Sequence, residues 1–269
     1  MIEKAKKAAL VAGEIVMEHF RKVPQEAIRS KQKNDFLSFV DEQSEQVIIS
    51  TIKQAFPDHA FLAEESGASD NQNDYLWVID PLDGTTNYIT GLPVFAISIA
   101  LLIKGEPTIG IIYDPLHKEM FWAQKGQGAF LNDKPIHVSA KASLEQSLIA
   151  TGFPFKAKHF LDAYLNAFHD IFLSSVGMRR MGAAAIDLAY VAAGRFEGFW
   201  EIGLSPWDIA AGAVLVREAG GRISDFWDNN NFLYKNYTVA SNGKIHRELI
   251  EKLNRYFPEF KPVYQTEGE

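Results

Sequence analysis

The segment Trp77-Val78-Ile79-Asp80-Pro81-Leu82-Asp83-Gly84-Thr85-Thr86-Asn87-Tyr88 restricts this chain more than any other. Its apolar start reads as a buried strand, and that strand delivers two carboxylates into a tight turn. Pro81 fixes φ and is read as forcing the turn, while Gly84 permits a backbone conformation that other residues resist. Two ionised carboxylates converging across such a turn repel each other, and a divalent cation would relieve the repulsion. The Leu82 carbonyl between them is a further oxygen donor. With no His or Cys in the cluster, an all-oxygen set favours Mg²⁺ over Zn²⁺. If a helix starts at Gly84-Thr85-Thr86, its first amides lack internal partners and could hold a phosphate. The plainer reading is that Asp80 and Asp83 cap a turn, as Asp-Pro and Asp-Gly pairs often do. The density of donors between Asp80 and Thr86 is what sets the functional reading against it.

Two other clusters bear on the same chemistry. Glu64-Glu65-Ser66 follows the apolar run Phe61-Leu62-Ala63. Adjacent glutamates are usually a solvated loop, but neighbouring strands would bring one of them beside Asp80. Ser205-Pro206-Trp207-Asp208 has the spacing of a capping box with proline at the first helical position. Asp208 therefore has a structural reading as a cap. The small residues that follow, Ile209-Ala210-Ala211-Gly212-Ala213, would let that helix pack closely and bring its N-terminus near another element. Both readings of Asp208 can hold together. Asp41 precedes a helix and reads first as an N-cap. Glu201 ends an aromatic strand, facing a cleft or standing as an edge charge. Lys31 and Lys33 could meet a phosphate, though a solvated basic loop is the default. The seven histidines lack metal-ligand spacing. No Gly-x-x-x-x-Gly-Lys-Ser/Thr, Gly-x-Ser-x-Gly or Gly-x-Gly-x-x-Gly occurs, which argues against a P-loop, a nucleophile elbow and a Rossmann fingerprint.

Hydrophobic spacing predicts helices over residues 2–20 and from Val40 to Pro57, separated by an irregular, basic and mobile loop at 22–40. Strands are expected at Phe61–Ala63 and Trp77–Ile79. A meander follows: Phe95–Ile103 turns at Lys104-Gly105 into Thr108–Tyr113, then Met120–Ala123. Beyond residue 140 strands and helices alternate, with strands at 148–150, 177–180, 196–200, 222–225 and 238–240. Helices fall near 157–174, 183–193, 206–219 and 243–256. The fold class is thus α+β passing into layered α/β. Residues 1–140 would form an α+β lobe and 141–269 an α/β lobe, with a cleft between.

A chain of 269 residues, 47% hydrophobic and 23% charged, can build a large core. Its net charge of −7 argues against nucleic acid or an anionic membrane as partner. A small anionic substrate remains compatible if bound cations reverse the local charge. The absence of cysteine excludes disulfides, thiolate metal sites and cysteine nucleophiles. The longest mostly apolar run, Val94–Ile103, is too short to span a bilayer, and the N-terminus has no signal-peptide core. A cytoplasmic protein is expected.

Taken together, WVIDPLDGTTNY, the EES before it and SPWDIAAGAVLVREAGG at 205–221 resemble the inositol monophosphatase family, collinearly from about residue 5 to 255. That family belongs to a lithium-sensitive, Mg²⁺-dependent phosphatase superfamily that includes fructose bisphosphatases. The resemblance implies a layered αβαβα sandwich, a homodimer and two or three Mg²⁺ per site. It makes Glu64 a metal ligand that also holds the attacking water. Asp80 would bridge two metals, the Leu82 carbonyl would serve the first, and Asp83 and Asp208 would complete the second. Asp83, Gly84 and Thr85 would meet phosphate. The Thr85 hydroxyl, supported by Asp41, would position the water. Gly182, Ala184, Glu201 and Asp208 match positions that contact the alcohol. The chain departs from the family at Lys31 to Ser38, where either Lys31 or Lys33 could be the matching basic residue. The implied substrate is inositol monophosphate, with the 2′-phosphate of NADP(H), fructose 1,6-bisphosphate or a nucleotide 3′-phosphate as alternatives. A non-catalytic regulator that binds RNA polymerase is the reading from another class.

Overall fold

Alanines and valines recurring at helical spacing form α1 (Ile2–His19), whose Ala5, Ala8, Ala9, Ala12 and Val16 are buried. The computed structural model describes residues 1–24, 26, 28–32, 35–69 and 73–257. Where an irregular loop was expected at 22–40, β1 (Arg29–Gln32) and β2 (Asp35–Leu37) pair antiparallel. Strands this short carry too few residues for a period to show in the sequence. Lys33 and the side chain of Lys31 lie outside the described residues. Next, α2 (Phe39–Lys53) starts at the N-cap Ser38, and a further turn carries the chain to Pro57.

The first sheet follows. Its strands are β3 (Ala60–Ala63), β4 (Gly67–Ala68) and β5 (Tyr75–Asp83), and then, after the short α3 (Thr85–Ile89), the expected meander. The meander comprises β6 (Ala96–Ile103), β7 (Glu106–Asp114) and β8 (Glu119–Gln124), extended by the hairpin β9 (Ala129–Leu131) and β10 (Lys134–Ile136). The order across these eight strands is β10-β9-β8-β7-β6-β5-β3-β4. Both faces of β5 are buried: Trp77 and Ile79 join the core under α1 and α2, whereas Val78 joins the core on the other face. That two-sided burial is why the strand reads as a continuous apolar run.

The second half alternates as expected, apart from the short α7, which was not expected: β11 (Leu148–Thr151), α4 (Leu161–Leu173), β12 (Gly177–Arg179), α5 (Ala184–Ala192), β13 (Gly198–Ile202), α6 (Pro206–Glu218), β14 (Arg222–Ser224), α7 (Phe232–Lys235), β15 (Tyr237–Ser241) and α8 (His246–Tyr256). Five of these strands form a mixed sheet in the order β12-β11-β13-β15-β14. The helices α5 and α6 touch both sheets, while α4 and α8 pack together outside the smaller one. The layers therefore run α1/α2, large sheet, α5/α6, small sheet, α4/α8, which is the expected αβαβα sandwich.

The middle layer is thin because its residues are small. At Gly110 on β7 a Cβ would run into the Ala211 carbonyl of α6, and at Gly212 it would meet Leu188 of α5. The small-sided run after Asp208 thus lets α6 lie directly on the large sheet, bringing its N-terminus to β5 and β6.

Candidate active site

Parallel pairing of β3 with β5 sets Ala63 opposite Ile79, and the Glu64 amide donates to the Ile79 carbonyl at 3.1 Å. Glu64 therefore leaves its strand beside Asp80, as the neighbouring-strand reading required. One expectation is corrected here: Pro81 does not end the strand. The chain stays in β5 through Asp83, with a register shift against β6 between Asp80, opposite Ser98, and Asp83, opposite Ala96. Three steps on β5 answer two on β6, so β5 carries one extra residue, a bulge that accommodates the missing proline N–H. In a regular strand, residues three apart point to opposite faces. The extra residue brings Asp80 and Asp83 to the same side.

The turn comes at Gly84, whose φ of 86° is left-handed and where a Cβ would lie 2.9 Å from the Val94 carbonyl. Glycine is required there both conformationally and sterically. Ahead of α3, the Thr85 hydroxyl lies 3.0 Å from Asp41 Oδ1 and 2.9 Å from the Leu82 carbonyl. It has one proton for two acceptors. Asp41 is not the N-cap; that is Ser38, whose amide (2.9 Å) and hydroxyl (2.6 Å) both donate to Asp41 Oδ2.

Asp208 reaches the cluster from α6. Its Oδ2 accepts the Ser205 amide at 2.6 Å, completing the capping box, and the carboxyl also shares a hydrogen bond with Asp80. Cap and cluster member are one residue. Ser98 pins this end of α6 by donating its hydroxyl to the Trp207 carbonyl at 3.0 Å. Carboxylate oxygens of Asp80, Asp83 and Asp208 lie within 4.8 Å of one another. Burial, followed by the charges of Glu64, Asp83 and Asp208, holds Asp80 well above the usual carboxylate range. Burial and then Asp208 push Asp83 to about 8, although the Ala185 amide donates to it at 2.7 Å with the Ala184 amide beside. Burial likewise raises Asp208 to about 6, against the pull of Lys156. Buried acids crowded this closely repel when ionised, and the all-oxygen set around them fits a hard cation such as Mg²⁺.

A cavity of about 380 Å³ opens over this cluster, lined among others by Gly84, Thr85, Gly182, Glu201 and Asp208. Burial and the nearby Asp208 raise Glu201 to about 8. Of the expected site residues, Gly84, Thr85, Gly182, Glu201 and Asp208 line this cavity and Asp80 and Asp83 lie against Asp208 beneath it, whereas Glu64 falls outside that close carboxylate group and Ala184 is not among the lining residues, its backbone supporting Asp83 from behind.

Several contributors went unread in the sequence. On α2, Ser44 donates to the Pro81 carbonyl (2.9 Å), and Glu45 accepts the amides of Glu65 (2.8 Å) and Ser66 (2.9 Å). With Asp41 they form a buried polar stripe at i, i+3 and i+4 on a helix whose other buried residues are mostly apolar, a legible signal. Ser98 interrupts an apolar strand, which is also a signal. Asn87 joins α3 to Val94 and Met181 through carbonyls at 2.8 and 2.9 Å, and nothing local marks it. Phe153, Phe155, Lys156 and Arg180 complete the cavity wall.

A five-layered sandwich with an acidic cluster where its large sheet meets the middle helices defines a phosphatase class, and the chain belongs to the inositol monophosphatase family, whose sequence model matches residues 1–259. It is similar to the Nus factor SuhB of Pseudomonas aeruginosa, 45% identical over 263 residues that cover 96% of this chain and 97% of that one. Among solved structures it resembles an inositol monophosphatase from Anabaena, with 39% identity, a TM-score of 0.86 and coverage of 97% and 96%. A more distant structure, an IMPase/NADP phosphatase complexed with Mg²⁺ and phosphate, has 25% identity, a TM-score of 0.79 and coverage of 90% of each chain. No helix among the described residues is long and apolar enough to cross a membrane.

Proposed function

We propose that this protein is a Mg²⁺-dependent phosphomonoesterase acting on inositol monophosphate and comparable polyol phosphates, by direct attack of water on phosphorus. The observation that carries the reading is the convergence of Asp80, Asp83 and Asp208 within 4.8 Å, with Glu64 delivered beside them by β3. Those carboxylates and the Leu82 carbonyl are the residues that would hold Mg²⁺. Bound there, Mg²⁺ supplies a water of lowered pKa and offsets charge on the transferring phosphoryl group.

The chain's own groups do the rest. Thr85 donates its hydroxyl proton to Asp41, which leaves its lone pairs free to orient the attacking water together with Glu64. The amides of Gly84 and Thr85, at the start of α3, hold phosphate oxygens beside Asp83. Glu201, Gly182 and Asp208 take the alcohol, with Ala184 acting behind Asp83. The protein acts as a homodimer, a reading supported by the apolar face that α4 leaves exposed.

The testing variant is Asp80→Asn. Mg²⁺-dependent phosphate release is expected to disappear while circular dichroism and melting stay native-like; near-normal turnover would refute the metal assignment. The name Nus factor, carried by a relative 45% identical, favours a second reading as a regulator that binds the transcription machinery. A panel of inositol phosphate, NADP, fructose bisphosphate and nucleotide 3′-phosphate, with and without Mg²⁺ and Li⁺, separates the two. Release from none of them would favour the regulator.

A further inference from the structure

A second cavity of about 380 Å³ opens between the β6–β7 turn and α7, lined among others by Lys104, Glu106, Arg217, Asn230, Phe232 and Tyr234. It shares no lining residue with the cavity over the acidic cluster. Arg217 stands in the last turn of α6, whose first turn carries Asp208. At 1.5 Å per residue the two are about 14 Å apart along the helix.

The Arg217 guanidinium is half-buried and lies 5.2 Å from the ring centroid of the buried Phe232. It donates to Asn230 Oδ1 at 3.5 Å, a long and weak contact. Burial lowers its pKa, and Glu106 is the acid that pulls the other way. Yet the Glu106 carboxylate is held at 2.7 Å by Lys125 Nζ. Among the described residues no carboxylate lies within 4.0 Å of Arg217 or Lys104. Sinking a cation into the surface without an acid beside it is costly. The chain has 34 acidic residues against 27 basic ones, and none of those described is set against this guanidinium. Lys104 adds a second positive charge. Its φ of 52° is left-handed, next to Gly105 at 79°, and its amide is tied to the Asp74 carbonyl at 2.7 Å. A side chain is uncommon in that conformation, and the turn keeps one at the cavity rim. Tyr234 stands at the same rim, 63% exposed.

We infer that this cavity is a binding site for a small organic anion, with a carboxylate or phosphate on Arg217 and Lys104 and a flat apolar body against Tyr234. A guanidinium stacked on a ring keeps its in-plane donors ordered, and its fork matches both oxyanions. The cavity volume is within the range of small-molecule sites, about 300–1,000 Å³. None of the acidic cluster takes part, so the site stands whether or not the protein is a phosphatase.

Calorimetry in EDTA, which keeps Mg²⁺ off the acidic cluster and prevents hydrolysis, tests it. The probes are phenyl phosphate and benzoate, each against its bodiless counterpart, inorganic phosphate or acetate. At least one aromatic anion should bind about tenfold or more tighter than its counterpart, and which one does so tells phosphate from carboxylate. Arg217→Gln should weaken that binding about tenfold or more, and Tyr234→Ala should remove most of the aromatic advantage. Lys104→Gln, at an exposed position, should weaken it about two- to fivefold, and it decides the matter if Arg217→Gln does not melt cooperatively. Asp80→Asn should leave binding unchanged. No binding of either aromatic anion, no preference over its counterpart, indifference to Arg217→Gln and Lys104→Gln, or loss of binding in Asp80→Asn overturns the site.

Discussion

Asp83 illustrates how the site stores electrostatic work at single residues. Its carboxyl ionises at about 8 when folded, against an ordinary 3.8, because it is buried and then because Asp208 lies beside it. Asp80 moves in the same direction, through burial and then the charges of Glu64, Asp83 and Asp208. Between those two pH values the folded chain holds protons that the unfolded chain has released, so without cation stability falls as pH rises from about 4 to about 8. Cation binding to the ionised carboxylates displaces those protons and removes the penalty. Melting of the chelated protein is therefore expected to be highest near the acidic end of that window. The rise in melting temperature on adding Mg²⁺ should grow toward pH 8, and scanning fluorimetry with chelator or Mg²⁺ measures both. A Mg²⁺ effect that shrinks toward pH 8 would contradict the cluster as the binding site. Thr85 belongs to the same scale. Its hydroxyl faces Asp41 and the Leu82 carbonyl, so Thr85→Val removes a donor without removing a charge. If it orients water, kcat should fall about a hundredfold or more, with Thr85→Ser largely restoring it and the Mg²⁺ requirement unchanged.

At the level of elements, α2 is the support on which both acidic loops rest. Asp41, Ser44 and Glu45, all buried, reach respectively to Thr85, Pro81 and the turn at Glu65 and Ser66. Glu45→Ala leaves two backbone amides without their acceptor, a loss of about 1–3 kcal/mol each where they stay dry. It should also loosen the turn that carries Glu64, so a higher Mg²⁺ concentration for half-maximal activity is expected, with Glu45→Gln milder; a metal titration of both variants checks this. The helix α6 makes the complementary contact. Gly110→Ala would push against the Ala211 carbonyl, costing about 1–3 kcal/mol by overpacking, and urea unfolding would show it. These elements also mark how far the sequence could be read. The end of β3 was legible because its apolar run gives way to Glu64-Glu65, and the start of α3 and the cap of α6 because glycine, proline and capping residues act locally. The bulge at Pro81 was not: a proline after an apolar run looks the same whether the strand ends or absorbs an extra residue, and only the pairing of Asp83 with Ala96 decides. The stripe on α2 was present in the letters, but its meaning depends on which loops lie across from it.

Across the whole molecule, the layer order follows from faces. β5 is apolar on both sides, α5 and α6 are small-sided and buried almost throughout, and α1 and α2 bury one side only. Such elements can only stack with the two-sided ones inside. Beyond the meander, which strands neighbour one another was not legible: the small sheet places β13 between β11 and β15, a long-range pairing that no local period encodes. The same accounting of faces leaves one element incomplete. Along α4, Leu161, Leu165 and Phe172 recur at i, i+4 and i+11 on the solvent side, and Leu173 and Val176 extend the strip at 69% and 67% exposure. An apolar strip of this kind on a chain of net charge −7 is costly in water and is relieved by pairing with a second copy. Light scattering after size exclusion should therefore give twice the 30.1 kDa chain mass. The double substitution Leu165→Glu and Phe172→Glu, both on exposed positions, should halve it while the melting transition stays cooperative. A dimer that survives the double substitution would move the interface to another face, and a native protein that runs as a monomer would remove the homodimer altogether.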